Sequence, residues 1–277
     1  MFYTKGSKLL PFFTSNKSIR VNIRNTQKLK EIRLCNLYAD EVLREFNQMN
    51  DKQLVAIDAA KLVQSGMLVG LGTGSTANYF IEELARRQQA EGLNITTVAS
   101  STISAQKAQS LQLPIVALEH ISFIDLYVDG ADEITPNFTL LKGRGSDLVK
   151  EKLLAKAATR FIVVADESKL VKHIGQNFLI PIEVIPFAWQ LAKRNLEAIG
   201  GIGDLRRNAA KDGFWITSHG SYVLDMRFEN QLNASTLSIA LSNTPGVVEH
   251  GIFDDLANTV LIATNGNVTE RHPQQAT

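Results

Sequence analysis

Short apolar runs alternate with amphipathic stretches along the chain from about residue 51 to residue 166. Five runs have the length and composition of buried strands: MLVGLG, NITTVAS, PIVAL, IDLYVD and RFIVVAD. Between them, apolar residues recur at helical spacing in DKQLVAIDAAKLVQSG, whose glycine is a helix stop, and in STANYFIEELARRQQAEG, SAQKAQSLQL and DLVKEKLLAKAATR. Strands that alternate with helices predict a parallel sheet, which binds ligands at the carboxyl ends of its strands.

The pattern changes after about Leu179. The predicted order becomes strand, helix, strand, strand, helix, strand, over PIEVIPF, AWQLAKRNLEAIG, GDLRRN, FWITSHGSYVLDMRF and NASTLSIALSNTPGVVEHGIF. This order is typical of a ferredoxin-like α+β fold, and the final NTVLIATNGNVTE is apolar enough to rejoin the first sheet. We therefore predict an α/β protein: a Rossmann-like parallel sheet flanked by helices (residues 49–178 and 256–272) and a smaller ferredoxin-like α+β domain (179–255).

Residues 1–48 differ in composition from the rest. The first 30 contain seven lysines or arginines and no acidic residue, with LLPFF as the one apolar cluster. An organellar targeting segment has this composition; a poorly ordered upstream extension is the alternative, since MNDKQLVAIDAAKLVQSG, from Met49, has the character of a natural protein start. We expect a cytoplasmic protein, or an imported one if 1–48 is a transit segment.

Composition and charge exclude several classes of function. The net charge is +1, so no basic field attracts nucleic acid or an anionic membrane, and no apolar run has the length of a membrane span. The single cysteine, Cys35, excludes an intramolecular disulfide and a cysteine-based zinc site. The five histidines have no metal-ligand spacing: His120, His173, His219, His250 and His272. We expect neither a metal nor a cofactor, and a small anionic ligand would need a local binding site.

A glycine-rich turn joins the first predicted strand to the next helix. Its sequence, GTGSTA over 72–77, fits the dinucleotide fingerprint, but the second strand ends in SST (100–102) and lacks the acidic residue that binds ribose. The lysine of a nucleotide-binding P-loop is also absent. The hydroxyls of Thr73, Ser75 and Thr76 and the amides of a helix N-terminus remain, and these suit a compact phosphate monoester. The alternative is a tight turn without a ligand.

Three carboxylates follow the strand IDLYVD at the same predicted sheet edge. In the sequence DGADE they are Asp129, Asp132 and Glu133. Clustered carboxylates repel one another, so one of them holds its proton more tightly, as an acid–base pair requires. A magnesium site and a solvated acidic turn are the alternatives.

The stretch LLKGRGSDLVKEKLL adds a cation and another carboxylate. Lys142 stands beside a second glycine turn, and Glu151 has Leu148 and Leu154 as its neighbours at three residues on either side. A carboxylate on such an apolar stripe indicates a pocket; a salt bridge at the rim, to Lys142 or Lys152, is the alternative. A base, an acid and cations near a phosphate site are what the enolisation of a sugar phosphate requires.

Several motifs, taken in order, resemble those of the ribose-5-phosphate isomerase A family. They are GLGTGST, YVDGADEI, LLKGRG with Glu151 downstream, FIVVADESKLV, PIEVIPFAW and TPGVVEHGIF, and the likeness covers about Asp51 to Glu270. The resemblance implies interconversion of ribose 5-phosphate and ribulose 5-phosphate through a cis-enediolate, without metal or cofactor, in the non-oxidative pentose phosphate pathway. It also implies a homodimer or homotetramer, with the small domain as an oligomer contact.

The resemblance also implies roles for individual residues. Glu151 would be the base that moves the proton between C2 and C1. Asp129 would act in ring opening and at the sugar oxygens, with Asp132 and Lys142 positioning and balancing the enediolate. The residues that would bind the substrate are Thr73, Gly74, Ser75, Thr76, Gly143, Arg144, Gly145, Lys169 and Lys52, with both of these lysines near the phosphate.

Two residues depart from the pattern of the family. Arg144 stands where many relatives have a small residue, although others carry arginine. Asp147 also stands where small residues are usual. An inward-pointing Asp147 would repel the substrate, whereas an N-cap for the following helix would add about 1 kcal/mol of stability. We favour the cap.

Two other classes of function fit part of the sequence. Sugar-phosphate lactonases and deaminases resemble this sheet and glycine loop, but they typically use a histidine near their catalytic acids. His120 precedes YVDGADEI by several residues, and the other histidines lie far from the motifs. A sugar-phosphate sensor fused to a DNA-binding module would need a helix-turn-helix, and residues 1–48 contain no convincing one.

Overall fold

The computed structural model describes residues 50–145, 147–228 and 233–273, which form three sheets and the helices between them. The strands, in chain order, are β1 (Leu68–Leu71), β2 (Thr96–Ala99), β3 (Ile124–Asp129), β4 (Glu133–Ile134), β5 (Leu140–Leu141), β6 (Ala158–Asp166), β7 (Ile180–Val184), β8 (Gly201–Leu205), β9 (Tyr222–Phe228), β10 (Val247–His250), β11 (Ile252–Phe253), β12 (Thr259–Thr264) and β13 (Asn267–Arg271). The helices are α1 (Asp51–Lys61), α2 (Ser75–Glu91), α3 (Thr102–Ser110), α4 (Leu148–Ala157), α5 (Trp189–Ala198) and α6 (Ala234–Ser242).

The largest sheet has six strands in the order β13-β12-β6-β3-β1-β2. All neighbouring strands are parallel except the pair β12–β13. Alternate residues of β3 face opposite layers: Leu126 and Val128 pack in a core shared with α1, α2 and α3, whereas Tyr127 packs in a second core with residues of α4. This alternation places helices on both faces of the sheet.

A separate antiparallel sheet has the order β10-β7-β9-β8. With α5 and α6 its strands follow the order strand, helix, strand, strand, helix, strand, and every neighbouring pair is antiparallel. This is a ferredoxin-like arrangement. The predicted fold class, a Rossmann-like parallel sheet flanked by helices with a smaller α+β part, is therefore confirmed.

Two local predictions are wrong. The segment PIVAL is not a strand: it forms a single bridge between Ile115 and Thr97 at the sheet edge and then enters a 3₁₀ turn at Leu118–His120. The first helix ends at Lys61 rather than Gly66, because the Leu62 amide bonds back to the carbonyls of the last turn. The predictions also missed the small sheet β11-β5-β4, whose two-residue strands are too short to show periodicity.

The topology brings three chemically distinct strand ends to one edge. Strands β1, β3 and β6 are neighbours and parallel, so the glycine turn after β1, Asp129 at the end of β3 and Asp166 at the end of β6 lie side by side. Within the described ranges, no helix is long and apolar enough to cross a membrane. The predictions for residues 1–48, and with them Cys35, lie outside the described residues.

Adjacent leucines of α4 give a matched test of this packing. Leu154 is fully buried against the central sheet, whereas Leu153 is 51% exposed. We expect Leu154→Ala to lower the free energy of unfolding by about 2–5 kcal/mol, and Leu153→Ala to change it by less than about 0.5 kcal/mol. Urea denaturation followed by circular dichroism measures both. Equal losses in the two variants would contradict the orientation of α4.

Candidate active site

A cleft of about 210 Å³ opens at the carboxyl edge of the parallel sheet. The predicted site residues that line it are Lys52, Thr73, Gly74, Ser75, Thr76, Asp132, Lys142, Gly143, Arg144, Gly145, Glu151 and Lys169. Asp129, the remaining predicted residue, is fully buried and contacts two of these lining residues. The fold therefore brings together, from segments far apart in the sequence, all the residues to which the family resemblance assigns a role.

Two glycines are required by the backbone geometry of the glycine turn. A Cβ on Gly72 would overlap the carboxylate and backbone of Asp129, so only glycine lets β1 and β3 end this close together. Gly74 has φ +107°, a conformation that favours glycine, and it stands at the N-cap of α2 without a side-chain cap. The first amides of α2 therefore face the cleft without intrahelical partners, where they suit an anion.

The hydroxyl of Thr73 does not extend the anion site as expected. Its Oγ1 hydrogen-bonds the hydroxyls of Ser100 (2.9 Å), Ser101 (2.8 Å) and Ser104 (3.2 Å). The serines that replace the acidic residue of a dinucleotide site thus hold the glycine turn in place. Of the three predicted hydroxyl residues, Ser75 and Thr76 remain at the cleft, and the Oγ of Ser75 accepts a hydrogen bond from Lys52 Nζ at 3.2 Å.

Asp129 accepts four hydrogen bonds. Its Oδ1 accepts from the amides of Thr73 (2.9 Å) and Gly130 (2.7 Å), and its Oδ2 accepts from Lys142 Nζ (2.8 Å) and the Tyr127 hydroxyl. Asp129 therefore joins the glycine turn to Lys142.

Tyr127 is a residue of this site that the sequence interpretation missed. It is fully buried, its ring stacks on Phe161 with centroids 4.9 Å apart, and its hydroxyl donates to Asp129. Burial raises the pKa of Tyr127 well above its usual value, and the charges of Asp129 and Glu151 raise it further, so the hydroxyl stays protonated. The sequence signal that could have identified Tyr127 is its position two residues before Asp129, because residues two apart on a strand share a face.

Lys142 is the cation at the centre of the site. Besides Asp129, its buried Nζ contacts the carbonyl of Gly130 at 2.7 Å and Glu151 Oε2 at 3.4 Å. Burial alone would lower the pKa of Lys142, but the attraction of Asp129 and Glu151 outweighs this effect and raises the pKa above its ordinary value. The ammonium is therefore charged across the physiological range.

Glu151 lies on the first turn of α4 and is 4% exposed. Its Oε2 accepts no hydrogen bond from a described residue, although Lys142 Nζ is 3.4 Å away. Burial raises the pKa of Glu151 to about 7; Lys142 lowers it, and the negative charges of Asp129 and Asp132 raise it again. Glu151 is therefore a cleft carboxylate whose proton exchanges near neutral pH, rather than half of a rim salt bridge.

The rim of the cleft carries further charges. Asp132 is partly buried, and burial raises its pKa although Lys142 and Arg144 act against this. Arg144 Nη1 lies 4.0 Å from Asp132 Oδ1, and the guanidinium stacks 4.0 Å above the ring of Phe178. Lys169 Nζ lies 6.0 Å from the centroid of the same ring. Cations thus gather at the open side of the cleft.

The backbone of the second glycine turn is held by the antiparallel sheet. Arg206, at the end of β8, forms a bidentate ion pair with Asp225 on β9, at 2.5 and 2.8 Å. Its Nη1 donates to the carbonyls of Gly143 (3.3 Å) and Arg144 (3.1 Å). This contact across sheets was not predicted, because nothing in the local sequence around Arg206 indicates its distant partners.

Glu133 does not join the other two carboxylates of DGADE. It is fully buried and accepts backbone hydrogen bonds from Gly175 (2.6 Å), Asn177 (2.6 Å) and Phe178 (3.0 Å). Asp132 precedes the short strand β4 and lines the cleft, whereas Glu133 begins β4 and its carboxylate binds the amides of the loop 175–178. Glu133 shapes a loop instead of facing the cleft.

The predicted cap by Asp147 is also wrong. Asp147 occupies the N-cap position of α4, but its side chain makes no capping hydrogen bond; it accepts one from Ser218 Oγ at 3.3 Å. Burial raises the pKa of Asp147, and the contact with Ser218 opposes this. Because Asp147 does not line the cleft, its carboxylate is not placed to repel a substrate.

The sequence left open a salt bridge from Glu151 to Lys152, a catalytic histidine and a magnesium site. Lys152 turns away from Glu151 and contacts Glu249 Oε1 and the carbonyl of His250, both at 2.6 Å. No histidine lines the cleft, and among the described residues no group of acidic, histidine or cysteine side chains could hold a metal ion. The site therefore has the features of a class: an acid–base enzyme whose buried carboxylate and lysine stand beside a binding site for a small anion.

Comparisons with known proteins agree with this class. The family model for ribose 5-phosphate isomerase A (phosphoriboisomerase A) matches residues 96–267. The chain belongs to this family. It is 42% identical to ribose-5-phosphate isomerase A of Thermosynechococcus vestitus, over 80% of this chain and 94% of that protein, and 42% identical to that of Thermococcus kodakarensis, over 77% and 93%. The resemblance seen in the motifs is confirmed.

Solved structures show the same fold. Ribose 5-phosphate isomerase A from Methanocaldococcus jannaschii has a TM-score of 0.76 at 39% identity, with 80% of this chain and 98% of that chain covered. A D-ribose-5-phosphate isomerase in complex with phospho-erythronic acid has a TM-score of 0.78 at 38% identity, with 81% and 100% covered. The likeness extends over the parallel sheet and the antiparallel one.

The protonation of Glu151 can be measured directly. Because burial raises its pKa to about 7, we expect the carboxyl to lose its proton as the pH rises through about 7. NMR of isotope-labelled glutamate carboxyls, followed over pH, reports the midpoint, and the resonance that disappears in Glu151→Gln identifies the residue. A midpoint in the ordinary range of glutamate, near 4.5, would show that the carboxyl is better solvated than its burial implies.

Proposed function

We propose that this chain interconverts D-ribose 5-phosphate and D-ribulose 5-phosphate through a cis-enediolate, in the non-oxidative pentose phosphate pathway. The observation that carries the proposal is the state of Glu151: a buried carboxylate whose Oε2 accepts no hydrogen bond from a described residue and lies 3.4 Å from a charged lysine, in a cleft with an anion site. Such a carboxylate can take a proton from carbon near neutral pH.

The proton transfer follows from this geometry. Glu151 takes the proton from C2 of the open-chain aldose, and the electrons of the C–H bond form the double bond between C1 and C2. Negative charge then develops on the sugar oxygens, where the ammonium of Lys142 stabilises it. Glu151 returns the proton to C1, while the hydroxyl proton of C2 moves to the oxygen of C1, and the ketose results.

Different observations support the roles of Asp132 and Asp129. Asp132 lines the cleft and burial raises its pKa, which suits a group that exchanges a proton with the sugar oxygens during ring opening. Asp129 accepts four hydrogen bonds and does not line the cleft. We assign to Asp129 the task of fixing Lys142 and the Thr73 amide, and its direct action on the sugar stays a prediction.

The anion site supports binding of the substrate phosphate. The amides at the start of α2, the Lys52–Ser75 pair and Lys169 surround the side of the cleft formed by the glycine turn. Arg144 adds a cation on the second glycine turn. We retain the predictions that the enzyme needs no metal or cofactor, that it acts in the cytoplasm or an importing organelle, and that it assembles as a homodimer or homotetramer.

Turnover of ribose 5-phosphate with and without Glu151 tests the proposal. We expect the full chain to form ribulose 5-phosphate in the presence of a chelator, and Glu151→Gln to lower kcat by about a hundred- to ten-thousandfold, as expected for loss of a general base. The affinity for phospho-erythronic acid should be retained, since the amide keeps the shape of the side chain.

The exposed Glu119 provides the matched control, because Glu119→Gln makes the same change far from the cleft. Its kcat should equal that of the unmodified chain. If the unmodified chain binds the sugar phosphate without converting it, the isomerase proposal fails and the sensor hypothesis replaces it. If activity disappears with the chelator, the metal-free mechanism is wrong.

A further inference from the structure

The loop 175–178 is built around one buried carboxylate. The two oxygens of Glu133 accept three amide hydrogen bonds from this loop, at 2.6, 2.6 and 3.0 Å. Burying a carboxylate is costly unless its lone pairs are satisfied, and here backbone amides alone do so. Since Glu133 does not line the cleft, its carboxylate fixes the shape of the loop.

Phe178, the last residue of this loop, contacts cations at the rim of the cleft. The side chain of Phe178 packs against the core of the antiparallel sheet, and its ring face carries the guanidinium of Arg144 at 4.0 Å. The ammonium of Lys169 is 6.0 Å from the ring centroid, at the outer limit of a cation–π contact. One aromatic ring therefore contacts two cations that line the cleft.

The side chain of Arg144 depends on this ring for its direction. Arg206 donates to the backbone carbonyls of Gly143 and Arg144, and these contacts fix where the Arg144 side chain begins. Among the residues that the structure describes, one carboxylate lies within ion-pair range of Arg144: Asp132, at 4.0 Å, and half of the Arg144 side chain is exposed. A weak pair of this kind adds little order, whereas the ring of Phe178, 4.0 Å from the guanidinium, gives it a surface to pack on.

We propose that Phe178 is a positioning residue that orients Arg144, and to a lesser degree Lys169, toward the phosphate of the substrate. The three hydrogen bonds that Glu133 accepts from the loop 175–178, called here the Glu133 clamp, hold Phe178 in place. The inference rests on the proposed function for the identity of the ligand. Phe178 touches neither the reacting carbons nor Glu151 in this arrangement; it acts through the two cations. Its effect should therefore appear in binding of the phosphate rather than in proton transfer.

Removing the ring while keeping an apolar side chain tests the proposal. In Phe178→Leu we expect KM for ribose 5-phosphate to rise roughly three- to tenfold, in the range of a lost cation–π contact, with kcat within about twofold. Phe178→Tyr keeps the ring face and should restore KM. Phe187→Leu makes the same change at a 90% exposed phenylalanine outside the cleft and should change nothing.

A double-mutant cycle separates positioning from general damage to the fold. If Phe178 acts mainly through Arg144, most of the effect of Phe178→Leu disappears when Arg144 is already alanine. A rise in KM of equal size in both backgrounds, or a fall in kcat alone, would overturn the proposal. Glu133→Gln cannot accept the same three amides and should raise KM as Phe178→Leu does; an unchanged KM would remove the clamp from the argument.

Binding without turnover keeps this test independent of the catalytic proposal. The dissociation constant of phospho-erythronic acid, measured by calorimetry, should rise by the same factor in Phe178→Leu as KM does. If the chain proves inactive but this constant rises in the variant, the proposed reaction fails and the positioning role stands. If the chain is active and this constant does not change, the positioning role fails and the proposed function stands.

Discussion

The buried ammonium of Lys142 is the constraint on which the site depends. A cation can be held away from water only beside negative charge, and Asp129 at 2.8 Å and Glu151 at 3.4 Å provide it. The two carboxylates share the cation unequally. Asp129 also accepts hydrogen bonds from two amides and a tyrosine hydroxyl, whereas Glu151 Oε2 accepts none from a described residue and burial raises the pKa of Glu151 to about 7. One lysine thus stands beside both a carboxylate held by four donors and a base.

The geometry of the sheet makes this unequal sharing possible. Parallel neighbours β1 and β3 end together, and the missing side chain of Gly72 lets the carboxylate of Asp129 reach the amide of Thr73. Helix α4 packs against β3 and β6 through Leu154, and this packing brings Glu151 to the cleft. The cluster therefore depends on the register between strands and on the packing of one helix, so damage to either changes the protonation of the base.

The sequence predicted the parts of the site that local pattern determines. Residue spacing predicts three of these parts: the glycine turn, the carboxylates after β3 and the polar residue on the apolar stripe of α4. It also predicts the order of the ferredoxin-like elements. Glu133 binds the amides of a loop more than 40 residues further along the chain, and no local pattern predicts that contact. Tyr127 lies two positions before Asp129 on β3 and donates its hydroxyl to that carboxylate, a contact that follows from period two once the strand bounds are known. The partner of Asp147 is Ser218, 71 residues away, and no local pattern predicts such a contact.

The two sides of the cleft are determined by different parts of the chain. The interior, where the proton would move, is built from β1, β3 and α4, and its energetics are those of buried charge. The rim is built by contacts that come from the loop before β7 and from β8, through Phe178 and Arg206. Stacking on a ring and donation to carbonyls are weaker and more exposed than the pairing of Lys142, so the rim can vary without loss of the interior charges. A cation at position 144 is compatible with an unchanged base, because the two are supported separately.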